Sequence, residues 1–170
     1  TISATAEIKA DGASIDTQDG PLRLHAKQAV SLMAETPEEF AWSGAGLAIN
    51  RLDADARITL NDTTLSTNNG SVDIAVDYAP TLTATVRATT IDQILPAEDL
   101  PVDLPTFGVN ALAAANTLNG VAKITLTGGE VTTTGSGDVQ LLTQQRASLT
   151  ASVSGGGGST ASAALALNTL

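Results

Sequence analysis

The chain has 170 residues, a net charge of −10, 2% aromatic residues and no cysteine. Nucleic acids and anionic membrane surfaces are bound through clustered Lys and Arg, so this charge argues against both as partners. The absence of cysteine excludes a disulfide framework, a thiolate metal site and a cysteine nucleophile. No apolar run reaches the roughly 18 residues that a spanning helix needs, so we expect no membrane insertion.

The first predicted strands lie where apolar and polar residues alternate. Ile8 stands in a strand-like run, and Ile15 follows it seven positions later. A turn at Asp19–Gly20 separates Ile15 from Leu22, because Asp and Gly readily adopt the backbone conformations of tight turns. Leu32 then follows ten residues after Leu22. Alternation with a period of two predicts strands with one face inside and one face outside.

The same ladder of apolar positions recurs twice more along the chain. Its members are Ile58, Leu65, Val72 and Leu82 in the second copy, and Ile124, Val131, Val139 and Leu149 in the third. Each copy ends at an asparagine that follows small apolar residues, and these asparagines are Asn50, Asn116 and Asn168. We therefore interpret the chain as three repeats of about fifty residues, 1–52, 53–118 and 119–170, that form one continuous solenoid segment.

The second repeat is longer because it contains an insertion at 92–108 with three closely spaced prolines. Prolines at this spacing favour an extended chain. The segment is too apolar for a free loop, so we expect it to pack along the flank of the solenoid or to offer a partner-binding strand. The candidate partner-binding residues are Ile94, Leu95, Leu100, Val102, Leu104 and Phe107.

The repeat predicts an all-β fold, because one copy cannot bury its apolar face and stacked copies can. A turn of a parallel β-helix commonly uses about 20–25 residues, so each repeat is expected to supply two turns and the chain six to seven. Stacking predicts a structural ladder of Asn50, Asn116 and Asn168 whose side chains pass hydrogen bonds between turns. The alternative fold is a β-sandwich with regularly spaced strands.

The third repeat carries a family resemblance. Its runs Gly137–Leu141, Ala147–Ala151, Gly155–Gly158 and Ala164–Leu170 resemble the repeats of filamentous-haemagglutinin-like proteins and related giant bacterial surface adhesins. The resemblance reaches the other repeats only through their alignment with the third. It implies a right-handed parallel β-helix at the bacterial cell surface or outside the cell, in a protein that mediates attachment or forms fibres.

No residue pattern indicates catalysis. His25 is the only histidine, and the alternation of its strand places it on the outward face, without a second His or a Cys with which to share a metal. The chain lacks the signatures of a serine nucleophile and of a phosphate-binding loop, so we expect no enzyme and no cofactor. Phe40 and Trp42 are expected to cover a turn or an adjacent coil of the solenoid, with a ligand anchor as the alternative.

Sixteen of the eighteen acidic residues precede residue 119. Pairs occur at Glu38–Glu39, at Asp53 with Asp55, and at Asp73 with Asp77. Carboxylate pairs can bind calcium, but no complete calcium-binding motif is present, so a solvated acidic surface is the preferred interpretation.

These patterns lead to a functional hypothesis. The chain is expected to be a structural segment of a large secreted or cell-surface protein of the filamentous or adhesin type, serving as a stiff spacer or fibre. Its expected partners are flanking repeats or end-to-end copies of itself. One alternative is a binding module that docks a host or neighbouring-cell surface protein or a glycan through 92–108 or the acidic face. A second is a lipid-conducting groove, which requires an open trough.

Overall fold

The structure, a computed structural model, describes residues 1–36, 45–88, 109–155 and 161–170. Every regular element in this part of the chain is a strand. The strands are β1 (Ile2–Asp11), β2 (Ser14–Thr17), β3 (Leu22–Gln28), β4 (Ser31–Glu35), β5 (Ala45–Asn61), β6 (Thr64–Thr67), β7 (Val72–Tyr78), β8 (Thr81–Ala88), β9 (Val109–Thr127), β10 (Glu130–Thr133), β11 (Val139–Gln145), β12 (Ser148–Gly155) and β13 (Ala161–Thr169).

The strands form four sheets in which each sheet collects one strand from successive repeats. Their orders are β1-β5-β9-β13, β10-β6-β2, β11-β7-β3 and β12-β8-β4. The pairings whose registers are known are parallel. The predicted all-β class with parallel strands is therefore confirmed.

The register places residues that are equivalent in the repeat directly beside one another. Ile8 pairs with Ile58, and Leu65 is flanked by Ile15 on one strand and Val131 on the other. Neighbouring strands are thus a whole repeat apart, and each repeat supplies one strand to each of the three-stranded sheets. The expected six to seven turns are not confirmed. The estimate of two turns per repeat assumed a short path, whereas β5 alone is 17 residues long.

The alternation of β7 shows why this sequence forms a strand. Val72, Ile74, Val76 and Tyr78 point inward and are fully buried, while Asp73 and the other intervening residues lie on the partly exposed face. Burying side chains of this size contributes about 1.5–3 kcal/mol each, which offsets the entropy lost on ordering the strand.

The turns occur at equivalent positions in the three repeats. Gly12, Asp62 and Gly128 all adopt positive φ, with values of 59°, 45° and 65°. Asp is among the few non-glycine residues that tolerate this conformation, so the same turn forms in the second repeat without glycine.

The chain divides into two compact units, each of which takes a part of every repeat. The first unit contains 1–30, 52–80 and 119–148, and in it β1 packs against β3. The second unit contains 31–51, 81–118 and 149–170. Its core is a cluster of small and branched apolar residues, namely Ala48, Ala84, Val86, Leu112 and Ala114.

Glycines allow successive repeats of the first unit to approach closely. A Cβ on Gly70 would lie 2.0 Å from the carbonyl oxygen of Gly20, and a Cβ on Gly137 would lie 1.9 Å from that of Gly70. Both distances are impossible contacts, so a side chain at Gly70 or Gly137 would force the backbones of successive repeats apart. The glycines that follow β6 and β10, Gly70 and Gly137, therefore allow the close spacing between repeats.

Candidate functional site

Three asparagines in the second unit form a continuous chain of hydrogen bonds. The Asn50 Nδ2 donates to the Asn116 Oδ1 at 3.0 Å, and the Asn116 Nδ2 donates to the Asn168 Oδ1 at 3.0 Å. The same Nδ2 groups also donate sideways to backbone carbonyls, Asn50 to Thr83 and Asn116 to Thr150, each at 2.7 Å. The amides of Asn50 and Asn116 thus each connect their own repeat to the next.

The local sequence explains why the Asn116 amide is inside. Asn116 follows Ala114 by two residues, so both side chains point to the same face of β9, and each is fully buried. A buried amide is stable only when its donors are satisfied, and Asn116 uses both of its N–H groups and one acceptor position. Asn168, in the last strand, is exposed and donates to the Leu149 carbonyl at 3.1 Å.

Chemically, the ladder is a set of neutral amides. It provides no nucleophile and no group that titrates near neutral pH. Hydrogen bonds in a row at low dielectric strengthen one another and fix the strand register. The arrangement therefore suits a structural role.

A second set of buried polar side chains lies in the first unit. The Tyr78 hydroxyl and both amide atoms of Gln28 are buried and make no hydrogen bond to another described group. A Cβ on Gly120 would lie 2.3 Å from the Tyr78 Oη, so the absence of a side chain there makes room for the phenol. Burial, and secondarily the charge of Asp55, raises the pKa of Tyr78 above its ordinary value.

Two carboxylates of the outward face, Asp55 and Asp77, have cationic or backbone partners. Asp55 pairs with Arg57 and also accepts a hydrogen bond from the backbone N–H of Val121 at 3.0 Å. Asp77 accepts from the Arg146 guanidinium at 3.0 Å through both of its oxygens. Because Arg146 comes from the next repeat, this pair also connects repeats.

The calcium hypothesis finds no support in the described residues. Among them, no three His, Cys, Asp or Glu side chains are grouped so that they could hold a metal ion. Asp73 pairs in register with Arg23, and Asp77 with Lys27, so each acidic residue of this pair has a basic neighbour on β3. Glu38–Glu39 lies outside the described residues.

The other residues singled out from the sequence divide into described and undescribed ones. His25 is exposed on β3, beside Ala75 of β7. Phe40 and Trp42 lie outside the described residues, as does Gly156–Gly158. The insertion 92–108 does too, with all six of its candidate partner-binding residues, Ile94, Leu95, Leu100, Val102, Leu104 and Phe107.

One surface feature of the second unit was missed by sequence reasoning. Leu47, Ile49, Leu165 and Leu167 are exposed, and they occupy alternate positions beside the inward-facing residues of β5 and β13. The signal was present in the sequence, since an apolar residue on each side of a buried alanine such as Ala48 indicates a strand with two apolar faces.

Comparison with protein-family models, with curated proteins and with solved structures found no match to the chain. The described residues include no helix that is long and apolar enough to cross a membrane.

Proposed function

We propose that this chain is a structural, non-catalytic segment of a large secreted or cell-surface protein of the filamentous or adhesin type, where it serves as a stiff spacer or as part of a fibre. The asparagine ladder is the observation that carries the proposal. Asn50, Asn116 and Asn168 connect three successive passages of the chain by side-chain hydrogen bonds, in addition to those of the backbone.

The proposal includes a finer description of the fold. The chain is a β-solenoid in which each repeat makes one coil. We assign it a right-handed path, because connections between parallel strands of one sheet are right-handed in about 98% of cases. Adjacent coils are then about 4.8 Å apart, and their backbone hydrogen bonds run along the axis.

Such a coil resists extension because each turn must break its backbone hydrogen bonds to the next turn before it can unwind. The Arg146–Asp77 pair and the asparagine ladder add side-chain hydrogen bonds between repeats to those of the backbone. Buried inward side chains, for example Ile74 and Val76, support a filled interior over the open trough that the lipid-groove alternative requires.

The test is to stretch a single chain held at its two ends in an optical trap. A stiff spacer is expected to stay short until a threshold force and then to lengthen in one or a few abrupt steps. Asn116→Ala is expected to lower that threshold, and Asn168→Ala, at the exposed end of the ladder, to lower it less.

The control is the same chain in urea, which lengthens smoothly at low force as an unfolded polymer does. If the chain in buffer behaved like this control, it could not transmit force as a spacer and the proposed function would be wrong.

A further inference from the structure

The inward side chains of β11 are exposed, whereas the equivalent side chains on the neighbouring strand β7 are buried. Val139 and Leu141 are 42% and 50% exposed, whereas Val72 and Ile74, beside them on β7, are 0% exposed. The difference arises because β7 has a neighbouring strand on both sides, whereas β11 has one neighbour among the described strands. What would cover Val139 and Leu141 is therefore another strand with the same inward pattern.

Within the part of the chain that the structure describes, no strand pairs with the outer edge of β11, so its backbone can accept such a strand. The Arg146 N–H donates to the Tyr78 carbonyl, and the Asp138 carbonyl accepts from the Val72 N–H. In a parallel pair alternate residues bond to the same neighbour, so the even-numbered residues of β11 bond to β7 and the odd-numbered ones face the open edge. Val139–Gln145 contains no proline and no charged residue, which are the usual means of blocking an edge.

The strand that fits this edge is present in the same chain. Leu22 and Leu24 of β3 already lie beside Val72 and Ile74 of β7. Val72 and Ile74 are the residues of β7 that lie beside Val139 and Leu141, so β3 carries the matching inward pattern. The free edge of β3 and the free edge of β11 are opposite edges of that sheet, so one copy can add to another head to tail. The contact would repeat the one that already holds β3 to β7 and β7 to β11.

Polar groups at the two edges match as well. Gln28, which is 4% exposed and has no partner for its amide, lies beside Tyr78, and Gln145 lies beside Tyr78 on the other side. Adding β3 of one copy to β11 of another places Gln28 next to Gln145, where two amides can donate and accept in turn.

Charges on the outward face are complementary in the same register. Glu7 lies beside Arg57 in the parallel register. The backbone bond from the Asp62 N–H to the Thr127 carbonyl gives the next strand an offset of 66 residues, which sets Lys123 beside Arg57. In a head-to-tail contact, Glu7 of one copy therefore lies next to Lys123 of the other. An exposed pair of this kind contributes more to register than to affinity.

We propose that the β11 edge, formed by the free edges of Asn119–Thr127, β10 and β11, docks the β3 edge of a second copy of this chain, formed by the free edges of β1, β2 and β3. The inference deepens the proposed function, on which it rests, by naming the partner surface and register of a fibre.

Sedimentation velocity over a range of concentrations tests the docking. The chain is expected to form head-to-tail oligomers whose size rises with concentration. Leu141→Lys is expected to weaken association by about a hundredfold or more, because an ammonium would be buried against an apolar strand. Leu142→Lys is the matched control, since Leu142 is 47% exposed on the outward face and gains the same charge. Far-UV circular dichroism verifies that both variants are folded.

A second experiment tests the register directly. The chain has no cysteine, so Glu7→Cys in one protein and Lys123→Cys in another introduce single thiols. Docked neighbours would bring their Cα atoms to about 4.8 Å, within the range for a disulfide. Mixing and mild oxidation should give a heterodimer. Replacing Glu7→Cys by Lys9→Cys shifts the thiol two residues along β1 and should reduce the yield.

The proposal is overturned if the chain stays monomeric at its highest soluble concentration, if both lysine variants associate like the unaltered chain, or if the two cysteine pairings give equal yields. These outcomes leave the spacer function standing, because stretching is measured on single, unassociated chains. A chain that lengthens smoothly in the optical trap would instead contradict the spacer function whatever its association.

Discussion

Replacing Asn116 by alanine tests whether the ladder stabilises the fold. Asn116 is fully buried and takes part in three hydrogen bonds, one accepted from Asn50 and two donated, to Thr150 and Asn168. Alanine removes all three and keeps the backbone of β9. Asn50 retains its bond to the Thr83 carbonyl, so the substitution leaves one amide hydrogen of Asn50 without its acceptor.

The expected loss follows from these contacts. A typical intramolecular hydrogen bond contributes about 1 kcal/mol net, so three give about 3 kcal/mol. The small cavity left by the amide raises the cost. Alanine has no rotamer freedom to lose on folding, which lowers the cost slightly. We expect the free energy of unfolding to fall by about 2–4 kcal/mol, a large share of the stability of an ordinary domain.

Equilibrium urea unfolding followed by circular dichroism measures the change. Asn168→Ala is the comparison, because Asn168 is exposed and its loss should cost about 1 kcal/mol or less. Asn116→Asp should cost more than Asn116→Ala, since it places a carboxylate where the Asn116 amide now donates. The reasoning is refuted if Asn116→Ala costs no more than Asn168→Ala, or if aspartate is tolerated better than alanine.

Three further predictions concern the interior and the spacing of repeats. The raised pKa of Tyr78 predicts that the free energy of unfolding falls as pH rises from about 10 toward the folded-state pKa, by at most about 1.4 kcal/mol per unit. Absorbance of the single tyrosinate and urea unfolding at several pH values measure this, and Tyr78→Phe should abolish the fall. Ile74→Ala should cost about 3 kcal/mol and Leu141→Ala about 1 kcal/mol in urea unfolding, and equal costs would contradict the burial difference. Gly70→Ala should lower the midpoint of thermal unfolding, because its Cβ would lie 2.0 Å from the Gly20 carbonyl oxygen, and an unchanged midpoint would contradict this close approach.

Much of the strand pairing was available from the sequence. The repeated spacing of Ile8, Ile58 and the apolar positions that follow them identified which residues lie side by side, because equivalent positions of a repeat meet when its copies stack. The alignment of Asn50, Asn116 and Asn168 identified the ladder positions. Small apolar neighbours indicate that these side chains face inward, and stacked inward-facing amides can bond to one another.

The length of chain between neighbouring strands could not be obtained in the same way. A repeat of about fifty residues is compatible with one turn or two turns of a solenoid. Alternation shows which face of a strand is inward but does not identify the neighbouring strand. The register supplies that identity, since Ile8 lies beside Ile58 and Leu65 beside Val131, one repeat away in each case.

The interior polar groups were also missed, although part of their signal was visible. Tyr78 continues the alternation of Val72, Ile74 and Val76, so its inward position follows from period two. Its reach toward Gly120 does not follow, because that contact joins residues of different repeats and depends on the missing side chain of a glycine. Gln28 occupies the same position as Tyr78, but its amide gave no reason to expect burial.

The exposure of equivalent positions shows how the repeats stabilise one another. Ile74, with a paired strand on each side, is 0% exposed, while Leu141, with one, is 50% exposed. Covering half of a leucine side chain contributes about 1 kcal/mol, and each added repeat would cover several such side chains at the edge it joins. Stability should therefore grow with the number of repeats in contact, as in other stacked repeats, where interfaces between neighbours supply much of the folding free energy. A chain whose repeats depend on their neighbours in this way gains stability from a further copy that adds to its β11 edge.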